Sequence, residues 1–387
     1  MLSSSRQDLT DTKESPPGKN LVGHLKHERI FSLFILVGLI IFYFMIWRSV
    51  RSELTDFPPL YAAARLLQSG ENPYSVENQC RVQNEVRSDL CMPFNHTPVL
   101  LPLIASITNQ DYVASYKRWG LILFIVVALS FVPAYYLSRN FDSSVQALLF
   151  VPIFISITQG QDTAFILLAV FLWTWLLMRK MDFWAGIALS LAVVKPQIAL
   201  LLALPMLFSR AKAFVGFCVG SFAAALFGWW LVGTSGYLGL IEIAKLTAQG
   251  QMPGLNHVDM YSAAGILARL GISPMWVWLV FALTLVAVSL LWRKWNGSLH
   301  SLALGIIGTT IAAPHLLFHD LALLTVPIYL VHPFAPIIAT FILLSFRALG
   351  APYLGAYIVI TLAALFHVIK LRSANLGSKK VFSTDLT

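Results

Sequence analysis

The amino-acid sequence predicts an all-α protein, a polytopic bundle of helices that cross a membrane. Hydrophobic residues make up 57% of the 387 residues, charged residues only 12%, and the mean hydropathy is +0.73. Soluble domains carry about a quarter charged residues, so this composition indicates an integral membrane protein. Apolar runs also recur along the chain, many of them near the roughly 20 residues that a spanning helix needs.

The chain begins with a polar segment, residues 1–29, whose composition is typical of a disordered tail. The first apolar run, residues 30–48, follows it directly. This run is longer than the apolar core of a signal peptide. We therefore predict a retained spanning helix here, preceded by a cytoplasmic tail.

Eleven further apolar runs follow, which makes roughly twelve crossings in all. Several runs are short for a helix that rises about 1.5 Å per residue, so they must extend past polar residues to span. We assign residues 30–371 to the transmembrane domain and residues 372–387 to a cytoplasmic tail. The runs cover residues 119–137, 145–158, 164–178, 183–194, 197–208, 213–233, 274–292, 299–313, 320–331, 335–346 and 353–370.

Basic residues predict the orientation, because Lys and Arg are in excess on cytoplasmic loops. With both termini inside, the pairs Arg179–Lys180 and Arg293–Lys294 also lie inside, and the long polar loops 49–116 and 234–273 lie outside. The bias is modest, since the first outer loop is also basic. The net charge of +9 gathers at helix ends and forms no basic stripe, so we do not expect nucleic-acid binding.

The first outer loop contains a predicted short amphipathic helix, residues 57–69. Pro58–Pro59 suit a first helical turn and Gly70 suits a stop. Apolar residues at helical spacing predict that the helix lies along the outer membrane face. Tyr61 and Arg65 are four residues apart and share a face.

Polar residues gather at the outer ends of the predicted crossings. They are Asp56 and the segments "QGQD" (159–162), "VKPQ" (194–197) and "PHLLFHD" (314–320). Asp56 has two interpretations: it caps the following helix, or it faces a cavity and handles a hydroxyl proton. Transporters usually keep ionisable groups at the bilayer midplane between paired repeats, and we find no inverted repeat. The pattern favours a catalytic cavity that lies beneath an outer loop.

Lys195 stands within the apolar sequence "LSLAVVKPQIALLLALP". A lysine at the centre of a spanning helix costs about 2.5–3.5 kcal/mol on insertion scales. Pro196 after it removes a backbone donor and breaks the helix. Lys195 therefore either points into a cavity, where it could meet a lipid phosphate, or extends its ammonium outward to water.

Two of the three cysteines, Cys80 and Cys91, lie in the first outer loop, and Cys218 lies in an apolar run. An outward-facing loop is exposed to oxidising conditions. We expect a Cys80–Cys91 disulfide, and two free thiols are the alternative.

The stretches that contain these residues resemble glycosyltransferase family 87, a family of polytopic GT-C-type mannosyltransferases. The resemblance covers residues 30–330 and depends on the order of several short motifs. In this chain they are Asp56–Phe57, Gly70–Tyr74, Gly160–Gln161, Ala185–Gly186, Lys195–Pro196, and Pro314 followed by His319.

The resemblance implies transfer of a hexose, mannose in the family's case, from a polyprenyl phosphate to a lipid or glycan acceptor, with inversion and at the extracytoplasmic face. Asp56 and His319 are the candidate bases, and either one could orient the other. Lys195 and Arg65 are the candidate ligands of the donor phosphate. The candidate contacts to sugar or acceptor are Tyr61, His96, Gln159, Gln161, Gln197, His315 and Asp320.

The chain departs from the family pattern at two places. It has His96–Thr97–Pro98 where the family often has Tyr–Pro–Pro, and His319–Asp320 where the family often has two histidines. No metal-binding or nucleotide-binding motif occurs in the sequence, so we expect no cofactor and no metal. The rival interpretations are a flippase or transporter of lipid-linked sugars that makes no bond, and a membrane scaffold subunit.

Overall fold

The structure is a computed structural model that describes residues 37, 38, 41, 45, 55–86, 91–249, 251–253, 256–295, 297–332 and 334–384. The predicted tail 1–29 lies outside the described residues. So does the predicted first span 30–48, except for four positions that are helical. All regular secondary structure in the described ranges is helical, as the sequence predicts.

The α-helices, in chain order, are α1 (Pro58–Gln68), α2 (Val76–Asn84), α3 (Leu101–Ile107), α4 (Tyr112–Ser138), α5 (Phe141–Ala147), α6 (Val151–Gln159), α7 (Thr163–Met178), α8 (Asp182–Leu189), α9 (Pro196–Ala203), α10 (Met206–Ser209), α11 (Ala211–Ala248), α12 (Ala263–Arg269), α13 (Val277–Trp295), α14 (Leu299–Ala312), α15 (Thr325–Tyr329), α16 (Ala335–Ala348) and α17 (Pro352–Thr384). Short 3₁₀ helices cover Pro98–Leu100, Ser190–Val194, His257–Asp259, Pro274–Trp276 and Phe318–Leu324.

Four of the described helices are long and apolar enough to cross a membrane: α4, α11, α13 and the segment Pro352–Ser373 of α17. Helices α5 and α6 pass the same test together although the chain bends by 51° between them, and they would make a fifth span. The described chain is therefore that of a membrane protein.

Seven apolar helical segments in the described ranges have only 10–17 residues. At about 1.5 Å per residue, none of them alone crosses a hydrocarbon core of roughly 30 Å. Six of them coincide with runs that we expected to be crossings, and the seventh, Pro98–Ile107, lies in the predicted first outer loop. The expectation of roughly twelve crossings is therefore not confirmed.

Two helices are longer than the sequence pattern predicts. The predicted run 213–233 ends at Gly233, whose φ of 66° and ψ of −177° are not helical, and a helix resumes beyond it. This backbone conformation is open essentially to glycine alone, so the chain turns there. The start of the predicted outer loop 234–273 is thus helical through Ala248. Likewise α17 continues past residue 371 to Thr384.

Helices α8 and α11 pack with their backbones in close contact. A Cβ atom on Gly186 would lie 1.9 Å from the carbonyl oxygen of Ala213, and one on Gly216 would lie 2.0 Å from that of Phe183. Small residues allow such an approach between helices in membranes. The contact fixes the helix that leads through the 3₁₀ turn Ser190–Val194 to Lys195.

Helix α1 forms where we predicted an amphipathic helix, and nearly all of it is buried inside the protein. Every residue from Pro58 to Ala64 is buried, and so is Leu66. The small side chains of residues 62–64 permit this close packing. The residue at its N-cap is Phe57, and no side chain caps the helix, so the capping interpretation of Asp56 is not supported.

A disulfide joins Cys80, on α2, to Cys91 in the following loop. The side chain of Gln83 supports the same connection. Its amide donates to the carbonyl oxygen of Met92 at 2.7 Å, and its oxygen accepts from the Met92 N–H at 3.1 Å. The loop that carries residues 92–96 is therefore tied to α2.

Replacing Cys80 and Cys91 together by serine should lower the free energy of unfolding by about 3 kcal/mol, because closing a small loop removes entropy from the unfolded chain. The two cysteines are 11 residues apart. Thermal melting of the purified protein checks this: a reductant should lower the melting temperature of the wild type but not of the double variant. Cys218→Ser, at an exposed free thiol, is the matched control. A double variant that melts with the wild type would contradict the expectation.

Candidate functional site

The turn between α6 and α7 positions Asp56. The backbone N–H of Asp56 donates to the carbonyl oxygen of Gln159 at 3.0 Å. Two aromatic side chains of α4 hold this turn: the Tyr116 hydroxyl donates to the Thr158 carbonyl at 2.6 Å, and the Trp119 indole donates to the Gly160 carbonyl at 2.8 Å. The start of α1 and the turn are thus held as one unit.

Gly160 is required in this turn for two reasons. Its φ is +74°, in the left-handed region, and a Cβ atom there would lie only 3.0 Å from the Cβ of Phe57. A left-handed conformation costs a residue with a side chain about 1–2 kcal/mol. The close approach of Phe57 adds to this and links the turn to the residue after Asp56.

Gly160→Ala should therefore destabilise the protein more than the conformational strain alone. Gly350→Ala is the matched control, because Gly350 has a φ of +75° with no atom within 4 Å of the position of its Cβ. Both variants share the cost of about 1–2 kcal/mol, and only Gly160→Ala must also displace Phe57. We expect the lower melting temperature for Gly160→Ala. Equal melting temperatures would show that the turn accommodates the methyl group freely.

Lys195 lies at the junction between the 3₁₀ turn Ser190–Val194 and α9, with Pro196 at the first helical position. Its side chain is buried, at 6% exposure. The Nζ atom donates to Asp320 Oδ1 at 2.5 Å and to Thr163 Oγ1 at 3.3 Å. The ammonium is therefore turned inward and does not extend to water.

The 3₁₀ turn Phe318–Leu324 carries His319 and Asp320, both buried. Asp320 accepts hydrogen bonds from the Leu317 N–H at 3.1 Å and from Thr163 Oγ1 at 2.8 Å. The Nε2 atom of His319 lies 3.5 Å from Asp320 Oδ2 and 3.5 Å from Lys195 Nζ. Asp320 thus holds both a lysine and a histidine of this cluster.

Asp56 faces the other nitrogen of the same ring. Its Oδ2 atom lies 3.9 Å from His319 Nδ1, and its side chain is 29% exposed against 5% for His319. The carboxylate and the imidazole therefore approach each other without a direct hydrogen bond. A hydroxyl oxygen to one side of the pair could lie within hydrogen-bond distance of both atoms.

A second histidine and carboxylate lie nearby. The Nδ1 atom of His96 lies 2.6 Å from Asp162 Oδ2, and Asp162 Oδ1 lies 3.9 Å from Lys195 Nζ. Burial opposes ionisation of Asp162, but His96 and Lys195 beside it lower the pKa of this carboxyl below its usual value. Asp162 is 1% exposed, so its charge depends on these partners.

One cavity of about 60 Å³ is lined by Asp56, His96, Lys195 and His319. It contains both predicted bases and most of the predicted polar contacts, although their positions in the sequence are far apart. Its polar lining residues are Asp56, Asn95, His96, Gln161, Lys195, Gln197, His315 and His319. We call it the polar cavity.

A second cavity, of about 420 Å³, adjoins the first. The two share Asn95, Pro196, Gln197 and His315. The rest of its lining is mostly apolar and comes from α9, α11 and α13, together with nearby loop residues. It includes Leu200, Leu240, Ile241, Ala244, Val277, Trp278 and Phe281. We call it the apolar cavity.

His315 stands where the two cavities meet. Its Nδ1 atom is buried and has no hydrogen-bond partner among the described residues. Burial lowers the pKa of His315 to about 3. The ring is therefore neutral at pH 7 and can accept or donate a hydrogen bond to a bound group.

Four of the predicted site residues do not line the polar cavity: Tyr61, Arg65, Gln159 and Asp320, whose side chain is fully buried. The Tyr61 hydroxyl donates to the carbonyl oxygen of Asn109 at 3.0 Å, and Arg65 Nη1 donates to that hydroxyl at 3.1 Å. The shared face of Tyr61 and Arg65 is therefore directed toward the 109–110 loop, while Pro59 and Leu60 of α1 line the cavity. Gln159 contributes its backbone carbonyl to Asp56 rather than a lining side chain.

The family model of glycosyltransferase family 87 matches residues 94–318, more than half of the chain. The chain belongs to glycosyltransferase family 87. No curated protein matches it. The matched segment of this family 87 glycosyltransferase contains His96, Asp162 and Lys195. Asp56 precedes the segment and His319 follows its last residue, and the fold returns both to the same cavity.

Sequence reasoning assigned no role to Asp162 or Thr163. Asp162 belongs to the polar segment 159–162 and precedes an apolar helix, a position typical of an N-cap. The structure gives α7 no side-chain cap and turns this carboxylate toward His96 and Lys195. The sequence signal that could have identified Asp162 is its position, since a carboxylate there stands directly before an almost wholly apolar helix.

No group of three or more His, Cys, Asp or Glu side chains is arranged to hold a metal ion in the part of the chain that the structure describes. The charged groups at the polar cavity contact one another: Lys195 lies beside both Asp320 and Asp162.

Proposed function

We propose that this glycosyltransferase moves a hexose from a polyprenyl phosphate to a hydroxyl group of a lipid or glycan acceptor, with inversion at the anomeric carbon. The hexose that we propose is mannose, and the site would face outward from the cytoplasmic membrane. One observation carries the proposal: the polar cavity with Asp56 and His319 shares a wall with the apolar cavity. A charged head group and a hydrocarbon chain of one molecule could then lie on the two sides of that wall.

The apolar cavity suits the first isoprene units of such a carrier. Burying apolar surface is favourable by about 25 cal/mol per Å², and the lining is mostly aliphatic and aromatic. The shared residues Gln197 and His315 would then lie beside the phosphate or the sugar. The amides of Gln161 and Gln197 provide donors and acceptors for sugar hydroxyls.

The pair of Asp56 and His319 would supply the base. If the Nε2–H of His319 is directed to Asp320, 3.5 Å away, the lone pair of Nδ1 is directed toward Asp56. An acceptor hydroxyl beside the pair would lose its proton to one of the two while its oxygen bonds to the anomeric carbon. The bond from that carbon to the phosphate oxygen breaks, and the phosphate leaves with the electron pair. A general base contributes about 10²–10⁴-fold to such a step.

The test is a transfer assay with the purified protein in detergent, where transport has no meaning. A panel of polyprenyl-phosphate hexoses and candidate lipid acceptors would be supplied, with products identified by mass and their anomeric configuration by NMR. We expect a product with one added hexose and the inverted configuration. The absence of any glycosidic product, together with movement of labelled lipid across liposomes, would favour a flippase instead.

The proposed compartment is tested separately by an affinity tag inserted after Gly250, in the predicted second outer loop. A membrane-impermeant reagent should label this tag in intact cells. A tag that is labelled only after the cells are lysed would contradict the outward orientation.

A further inference from the structure

The polar cavity has an excess of carboxylates over permanent cations. Asp56, Asp162 and Asp320 carry three potential negative charges in or directly behind it, and Lys195 is the one lysine or arginine among the described residues that line it. A phosphate that enters such a site needs a positive partner, because burying an unpaired charge is costly.

Lys195 is already engaged by protein groups. Its ammonium contacts Asp320 at 2.5 Å and Thr163 at 3.3 Å, and its side chain is 6% exposed. Removing it from Asp320 would leave a fully buried carboxylate without its cation, which is strongly unfavourable. Arg65, the other predicted ligand of the phosphate, bonds to Tyr61 outside the cavity.

His96 is the remaining group that can carry a positive charge toward the cavity. Asp162, at 1% exposure, lies 2.6 Å from His96 Nδ1 but 3.9 Å from the already paired Lys195. A histidine ring that carries a proton on each nitrogen donates from both of them, so a ring with Nδ1 directed to Asp162 can present Nε2–H to an anion. The ring also packs against Phe94, with centroids 5.5 Å apart, and the Tyr74 hydroxyl donates to the His96 carbonyl at 2.8 Å. Both contacts fix its position.

The other histidines of the cavity are less suited to this role. His315 has a buried, unpartnered Nδ1 and stays neutral at pH 7. His319 lies between Asp56 and Asp320 and would have to be neutral to accept a proton.

We propose that His96, with its Nδ1 side held by Asp162, binds the phosphate of the lipid-linked donor through Nε2–H, while Lys195 serves to hold Asp320. This assignment rests on the proposed function and adds the group that recognises the anionic part of the substrate.

The experiment compares binding of farnesyl phosphate and farnesol to the purified protein at pH 7.5 by isothermal titration. The two ligands share one apolar chain and differ in the phosphate. A charged hydrogen bond to a buried partner is worth about tenfold or more in affinity. We expect the wild type and His96→Lys to prefer farnesyl phosphate by at least about this factor, and His96→Gln to lose the preference while it binds farnesol normally.

Unchanged farnesol binding shows that His96→Gln is folded, so a retained phosphate preference in that variant overturns the assignment of His96. Loss of the preference in a protein that forms no sugar product in any assay would support the phosphate site and refute the proposed function. A wild type that does not distinguish the two ligands would overturn both. Titration with inorganic phosphate separates the sources of the anion: binding as tight as that of farnesyl phosphate would assign the site to free phosphate and overturn the lipid-linked donor.

Discussion

Replacing His319 by alanine is expected to lower the rate of sugar transfer by about 10²–10⁴-fold, the usual contribution of a general base. The ring is buried beside the polar cavity, with one nitrogen 3.9 Å from Asp56 and the other 3.5 Å from Asp320. Its loss removes either the proton acceptor or the group that orients Asp56. The measurement is the initial rate of product formation in detergent at saturating donor.

Asp56→Asn should cause a loss of similar size, and the double variant should lose little more than either single variant, because residues that act as a unit are not additive. His332→Ala is the matched control, since His332 is exposed and does not line the polar cavity. Its rate should equal that of the wild type. Full activity in both Asp56→Asn and His319→Ala would refute the assignment of the base.

Replacing Lys195 by methionine should destabilise the protein by about 3–5 kcal/mol, the cost of removing one partner of a buried ion pair. Lys195 Nζ is 2.5 Å from Asp320 Oδ1, and the Asp320 side chain is 0% exposed. Without the ammonium, Asp320 must be buried as an unpaired charge or take up a proton. The measurement is the melting temperature of the purified variant.

The matched variants separate charge from packing. Asp320→Leu alone should also destabilise, but Lys195→Met with Asp320→Leu should recover much of the loss, since an apolar pair of similar volume can replace a buried ion pair. Lys180→Met, at an exposed lysine, should melt with the wild type. A Lys195→Met variant as stable as the wild type would show that the pair does not hold this part of the fold.

Much of the fold could be predicted from the sequence, because helices follow apolar runs. Residues 119–137 lie within α4 and residues 299–313 follow α14 closely. The number of crossings could not be obtained in the same way. Short runs such as 183–194 form helices. Whether a short helix crosses the membrane depends on its tilt and on the helices beside it, and the periodicity of the sequence gives no information on either.

The candidate site could be predicted in part, because polar and charged residues within apolar segments need a polar cavity. Lys195 is so costly in an apolar segment that a cavity was the simplest explanation, and the polar segments at helix ends indicated its rim. The direction of a helix face was not predictable: Tyr61 and Arg65 share a face, but packing decides that the face meets Asn109. Asp162 resembled an ordinary N-cap, and only the fold brings His96 within 2.6 Å of it.

The most direct test of the central claim is a cryo-electron microscopy map of the His319→Ala variant with a polyprenyl-phosphate hexose bound. Slow transfer in this variant should preserve the donor. We expect density for the isoprenoid chain in the apolar cavity, for the phosphate beside His96, and for the sugar next to Asp56. Head-group density at another surface of the protein, with the polar cavity empty at saturating donor, would contradict the account.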